Sequence, residues 1–185
     1  MKKITALVLA VLMLASLGAC ANDNGGASDV EAMDLLTTVW NSYPADDKFA
    51  AAGGDTSEEN SAEDAPGVYS IENADELDRM LGFPAAEVAK LDSAASLMHM
   101  MNANTFTCGA YNVKDGEDMA ALAEALKDNI LARQWMCGFP DRLMVAYVGN
   151  CLIGAFGGTD QMDVFKAQLE ASYSDVVIVS EAPIA

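Results

Sequence analysis

The chain has 185 residues, with 10 basic against 28 acidic side chains and a formal net charge of −18. A field of that sign repels phosphate backbones, which excludes nucleic acid as a partner and a polybasic grip on anionic lipid. With 52% hydrophobic residues the chain is too apolar to be disordered throughout.

The first twenty residues, MKKITALVLAVLMLASLGAC, begin with Lys2 and Lys3 and continue through an apolar run from Ile4 to Leu14. That run is too short for a permanent bilayer span. It ends in Leu17-Gly18-Ala19-Cys20, the small-residue pattern at which a bacterial lipoprotein is lipidated on cysteine and cut. Residues 1–19 are therefore expected to be a lipoprotein signal peptide, with Cys20 carrying the acyl chains; an ordinary signal peptide cut after Ala19 is the alternative. A diacyl anchor meets the two-chain requirement for stable attachment and places the protein on the extracytoplasmic face of the cell membrane. Loss of the leader leaves 166 residues at net −20, enough for one domain. Residues 20–28 form a polar, Gly-containing tether, and 29–185 a single domain.

Ser28 as cap and Glu31 three residues on predict a helix start. Val30, Met33, Leu36, Trp40 and Tyr43 recur at helical spacing up to Pro44. Residues 46–66 are loop-like. Their middle holds Asp55, Glu58, Glu59, Glu63 and Asp64 with no large apolar side chain. Ordering such a segment costs roughly 1–2 kcal/mol per residue. A mobile acidic loop outside the core is therefore expected, one whose deletion leaves stability nearly unchanged. It lacks the alternating ligand spacing of a calcium loop. Val68 to Ile71 reads as a strand, Asn73 to Leu81 as a helix stopped by Gly82, and Pro84 to Leu91 as a further helix.

From Ala94 onward the pattern is strongest. Ser96–Met101 and Thr105–Val113 form a hairpin, followed by an amphipathic helix from Glu117 to Arg133 with Met119, Leu122, Leu126 and Ile130 on one face. Leu143–Val148 and Cys151–Phe156 form a second hairpin, followed by a helix from Thr159 to Tyr173 and a strand from Val176 to Val179. A shift of 43 residues superposes Cys108 on Cys151 and Met119 on Met162, which suggests a repeated hairpin–helix unit. The expected fold is α+β: a mixed, largely antiparallel sheet of about five strands built from two hairpin–helix units. The two repeat helices lie on one side, and additional N-terminal helices, a partner or a second copy cover the other.

Beyond Cys20, three thiols are candidates: Cys108, Cys137 and Cys151. No pair has CxxC spacing. Cys108 and Cys151 are either small buried apolar residues or a disulfide. Cys137 lies in a stretch whose Trp135 and Phe139 either line a ligand groove or pack the helix end onto the sheet. In Met98-His99-Met100-Met101, strand alternation sends His99 and Met101 one way and Met98 and Met100 the other, which disfavours a copper site. His99, the single histidine, is read as structural. Gly154 to Thr159 joins strand to helix but lacks the Lys of a phosphate loop and leads into Asp160 and Asp163. No metal, other cofactor or catalytic constellation is expected.

Asp64-Ala65-Pro66-Gly67, AASLMHMMNANTFTCGAY (Ala94 to Tyr111) and RQWMCGFPDRLMVAYVG (Arg133 to Gly149) resemble a group of small lipoproteins of gut Clostridia-type bacteria labelled either "bacteriocin transport accessory protein" or "hypothetical lipoprotein". The resemblance runs from about Asp34 to the C-terminus. It implies an envelope location and an accessory role in peptide export. For some proteins so labelled it implies a thioredoxin-like fold, from which this sequence departs by lacking CxxC. The expected function is a non-enzymatic, membrane-anchored binding or accessory module whose partner is a cationic peptide or an envelope protein. The alternative is a thiol–disulfide accessory enzyme using Cys137 or the Cys108/Cys151 pair.

Overall fold

A computed structural model describes residues 29–136 and 138–184. Cys20, Ser28 and Cys137, with the leader and tether, lie outside the described residues. The fold is α+β. Helix α1 (Ala32–Ser42) precedes three short strands, β1 (Ala51–Gly53), β2 (Ala62–Glu63) and β3 (Gly67–Tyr69). Helix α2 (Ala74–Leu81) leads through a 3-10 turn into β4 (Leu91–His99) and β5 (Phe106–Val113). Then follow α3 (Met119–Leu131), β6 (Arg142–Val148), β7 (Cys151–Gly157), α4 (Thr159–Ser172) and β8 (Val177–Pro183).

The sheet is wider than the five strands expected. Its eight strands run β2-β1-β4-β5-β7-β6-β8, with β3 beside β1 on the same edge of β4. Every pairing is antiparallel, so the sheet is not mixed. Two of the strands, β1 and β2, come from a segment too short in apolar runs and too small-residued to show a period, while β3 overlaps the Val68 to Ile71 strand read from sequence. Another difference is length: β4 starts at Leu91, five residues before the predicted strand.

Local signals account for the element ends that agree with sequence. Asn73 caps α2 by accepting the Glu76 amide, and Gly82 closes it at φ 78°, a left-handed conformation that glycine adopts without strain. Asp118 caps α3 through the Ala121 amide. Pro84 begins a 3-10 turn, Ala85–Lys90, rather than an α-helix.

Helices cover both faces of the sheet. One core joins α1 (Leu35, Leu36, Val39, Trp40) and α4 (Met162, Phe165, Leu169) to Leu97, Phe106, Cys108 and Ile153. The opposite core joins α2 (Leu77, Leu81) and α3 (Leu122, Leu126, Ile130) to Tyr111, Val145 and Leu152. The two hairpin–helix units are present, but α3 and α4 do not share a face, which corrects the one-sided arrangement. Strand order explains this. The connections β5-α3-β6 and β7-α4-β8 each join parallel strands by skipping one strand in the same direction across the sheet. They start from antiparallel strands. Right-handed crossovers that advance the same way from oppositely directed strands place their helices on opposite faces.

The start of α1 also differs. It begins at Ala32, with Glu31 as an N-cap whose side chain makes no cap bond. Its end is held by the sheet instead. Asn112, buried at the end of β5, accepts the Ala32 amide at 2.8 Å and donates to the Val30 carbonyl at 2.6 Å. Asn150, in the β6–β7 turn, accepts the Val30 amide at 2.9 Å. The chain thus joins the domain at the β5-end and β6–β7-turn side of the sheet.

Candidate functional site

The thiols described are poorly placed for chemistry. Cys108 and Cys151 are free and fully buried. Burial pushes the Cys108 thiol well above its ordinary range and Cys151 up to about 12. A nucleophilic thiol is a thiolate, and this environment suppresses one. Cys108 pairs with Ala155 and Cys151 with Asn112, so the two cysteines sit four positions apart along neighbouring strands. At about 3.3 Å per residue that is roughly 13 Å, beyond the reach of a disulfide. Of the two sequence readings for this pair, buried small residues is the one that matches. Cys137 lies outside the described residues.

Trp135 and Phe139 part company. Trp135 turns inward, its ring 5.1 Å from Phe156, with the Arg133 guanidinium 4.9 Å from its centroid. Phe139 points out and is 68% exposed. It has company that sequence order does not reveal. Asn104, in the β4–β5 loop, donates through Nδ2 to the carbonyls of Met136 at 2.9 Å and Gly138 at 3.0 Å. This ties the β4–β5 loop to the α3–β6 loop. Met100 and Met101 from the first, and Met136 and Phe139 from the second, are all exposed large apolar side chains. They stand at one end of the sheet. The same end carries Asp141, whose amide donates to Gly157, and the Ala50 carbonyl, which accepts the Met100 amide. β5 and β7 separate it from the Asn112/Asn150 end where the chain joins the domain; eight residues of strand make this roughly 25 Å.

His99 is accounted for structurally. Its Nδ1 accepts the Met101 amide at 3.3 Å, and its ring stacks on Phe49 at 5.4 Å. Met98 packs inward on the opposite core. Among the described residues no group of three His, Cys, Asp or Glu side chains is arranged to hold a metal ion.

The acidic segment is not the structureless loop that its composition suggests. Residues 51–53 and 62–63 are strands, and Ala51 belongs to the α1 core. Its glycines make the anchor. A Cβ on Gly53 would stand 2.2 Å from the Gly67 nitrogen, and one on Gly67 would stand 2.5 Å from the Gly54 nitrogen. Buried Ser96 binds Gly54 twice, accepting its amide at 3.0 Å and donating to its carbonyl at 3.2 Å. Trp40 Nε1 donates to the Asp64 carbonyl at 2.9 Å. Asp55 gathers the turn: Oδ1 accepts from the Ser57 amide and hydroxyl, and Oδ2 accepts from Asn60 Nδ2 at 2.8 Å and the Ser70 amide at 3.1 Å. Partial burial alone would raise this carboxyl. The hydrogen bonds outweigh it and hold the pKa at about 2. Thr56 to Glu59 form the longest continuous exposed stretch of the segment.

Beside this turn lies a cleft of about 260 Å³, lined by Asp55, Ser57, Tyr69, Glu72, Asn73 and Glu76. A second hollow, of about 350 Å³, is bordered by Asp141, Arg142, Thr159 and Glu181. There Asp141 Oδ2 accepts both the amide and the hydroxyl of Thr159, and these bonds lower its pKa. Arg142 pairs with Asp163, and Lys166 with Glu181. Arg142 and Glu181 at the second hollow are thus each paired with an opposite charge outside its lining, and Asp141 is held by Thr159. No helix among the described residues is long and apolar enough to cross a membrane. Comparison with protein-family models, with curated proteins and with solved structures gives no match.

Proposed function

We propose that this protein is a lipid-tethered, extracytoplasmic binding module without catalytic activity, which holds a peptide or envelope protein at the methionine-rich end of its sheet. The observation that carries this reading is that Met100, Met101, Met136 and Phe139 are all exposed on two loops that Asn104 pins together. Exposed apolar groups brought to one end of a domain suit an interaction surface, and thioethers adapt to varied partners. The cluster lies opposite the end where α1 and the preceding tether join the domain, so a module held by Cys20 directs it away from the bilayer. The chain's net charge of −18 favours a cationic partner, as peptide export accessories of the resembling family would need. The thiol-enzyme alternative has no support from Cys108 or Cys151, both buried.

The test is binding of a cationic amphipathic peptide to the tether-free domain. Replacing Met101, Met136 and Phe139 together by Ser should weaken binding by about tenfold or more while the melting temperature holds, since all three are exposed. Unchanged affinity would overturn the assignment of this surface. For the anchor, Cys20→Ala should release the protein from the membrane fraction or block its processing. Normal processing with retained attachment would refute lipidation at that residue.

A further inference from the structure

Among the described residues four buried side-chain atoms have no hydrogen-bond partner: Tyr43 Oη, Arg133 Nη1, Trp135 Nε1 and Arg142 Nε. Two of the four stand together. The Arg133 guanidinium lies 4.9 Å from the centre of the Trp135 ring and 5.1 Å from that of Phe156. Its Nη1 lies beside the end of α2, where a Cβ on Gly82 would stand 3.1 Å away. Guanidinium and indole only donate. The acceptors around them are already engaged. The Arg79 carbonyl accepts Arg133 Nη2, the Leu81 carbonyl accepts the Tyr111 hydroxyl, and the Gly82 carbonyl accepts Asn129 Nδ2. Asp78, the carboxylate whose charge reaches Arg133, accepts from Asn129 Nδ2 and the Ala85 amide. No ion pair among the described residues includes Arg133, although acidic side chains outnumber basic ones 28 to 10. Burial lowers its pKa, with Asp78 and Tyr111 opposing.

A buried polar group without a partner points to something that completes it. What is wanted here is an acceptor, and a negative one, because a half-buried guanidinium stands without a counter-charge. A cation is repelled by Arg133, and the oxygens that a metal ion would need are engaged. A neutral amide or a water accepts from the two donors but brings N–H or O–H groups of its own, beside carbonyls already in use. A phosphate carries more charge into a chain of net −18. An ionised carboxylate accepts through both oxygens, donates nothing and carries one charge. The rings of Trp135 and Phe156, 5.1 Å apart, offer a wall to its apolar body.

We propose that Arg133 and Trp135 form a binding site for a carboxylate, one oxygen accepting from Arg133 Nη1 and the other from Trp135 Nε1. Both nitrogens are buried in this form, but the residues that carry them are part exposed, so a swing of the Trp135 ring admits the ligand. The carboxylate belongs either to a small organic acid or to the C-terminus of a peptide. Trp135 adjoins Met136 in the chain, so the site borders the apolar end, but it rests on the two unpartnered donors and not on that reading.

The experiment titrates the full-length protein with butyrate, with an N-acetylated alanine tripeptide ending in a free carboxylate, with the same peptide as its amide, and with inorganic phosphate, each at low and high salt. The readouts are heat of binding and the indole N–H resonance of Trp135, told apart from that of Trp40 by its loss in Trp135→Phe. Saturable binding of butyrate or the acid peptide is expected, with the Trp135 resonance shifted and affinity falling as salt rises. The tighter of the two identifies the source of the carboxylate. Arg133→Gln should weaken binding by about tenfold or more, and Trp135→Phe, which keeps a ring but removes the donor, by a few-fold. Melting temperatures show whether the variants fold; should Arg133→Gln unfold, Trp135→Phe and the comparison of acid with amide decide. Absence of saturation by both carboxylates, equal binding of acid and amide, affinity unchanged in the folded variants, or tighter binding of phosphate would each overturn the proposal. No cationic peptide enters this titration, so failure here and failure of the apolar-end reading are separable.

Discussion

Every residue of β5 and β7, at the centre of the sheet, is buried, and these strands are pressed between α1 and α4 on one face and α2 and α3 on the other. At the β1–β3 edge the strands are two or three residues long, and the contacts are backbone against backbone through Gly53, Gly54 and Gly67, with Asp55 and Ser96 supplying hydrogen bonds. The centre is stabilised by apolar area removed from water. The edge is stabilised by close approach that only a missing Cβ permits, and by satisfying polar groups that would otherwise be stranded. An acidic segment with no large side chain can therefore be ordered, provided its backbone finds partners.

The largest effect should come from breaking the centre. Phe165 is buried on α4 with its ring 5.4 Å from that of Phe106. Phe165→Ala should cost about 3–5 kcal/mol in denaturant unfolding. A loss under about 1 kcal/mol would mean that α4 is not packed on the sheet as described.

The edge should break through its glycines. Gly53→Ala and Gly67→Ala place a methyl within 2.5 Å of backbone that cannot swing aside. Each should cost about 1–3 kcal/mol. Gly116, at φ 85° with nothing within 4 Å, is the control. Its replacement by Ala adds only the left-handed backbone cost, about 1 kcal/mol. Should Gly53→Ala prove no worse than Gly116→Ala, the edge is not closely packed. For the same reason, deleting Asp55 to Asp64 should lower the melting temperature, the reverse of what composition suggests.

The same contrast separates what sequence could and could not reveal. Apolar periodicity finds α3, α4, the two hairpins and the last strand because side chains are what period measures. Asn73 and Gly82 bracket α2 correctly because caps are local chemistry. The faces of α3 and α4 were out of reach because they depend on strand order, which no residue spells. Once β5 and β7 are known to be antiparallel neighbours, crossover handedness gives the answer. The edge was missed because glycines that touch glycines look like a linker. Of the candidate sites, Phe139 was legible, but its partners Met100 and Met101 lie more than thirty residues away and meet it through Asn104. Arg133 carried no signal beyond its place at a helix end.

The join between α1 and the sheet is a smaller test of the same distinction. Asn112 is 3% exposed and carries bonds to Val30, Ala32 and Ser93. Asn112→Ala should cost about 1–3 kcal/mol by stranding the Ala32 amide and the Val30 carbonyl. Asn150→Ala, which removes one partly buried bond, should cost less. Amide exchange at Ala32 should rise in the first variant; an unaltered rate would show that α1 is held by burial alone.

The smallest effect concerns Asp55, and it has a sign fixed by protonation. The carboxylate is the form that accepts the Ser57, Asn60 and Ser70 donors, so its pKa of about 2 in the fold lies below the ordinary value of 3.8. A group depressed in this way adds stability above the unfolded pKa and loses it as pH falls through the folded one. The contribution should be complete above about pH 5 and fade between about pH 4 and 2. The turn is partly open to water, so screening trims the gain to about 1 kcal/mol. Asp55→Asn retains an acceptor but no charge and cannot change protonation. Comparing wild type with this variant by denaturant unfolding at pH 6 and pH 3 isolates the residue from the other carboxylates, whose titration is common to both. The stability gap should narrow on acidification. A gap that stays constant would assign the turn's order to the glycine contacts and remove Asp55 from the account.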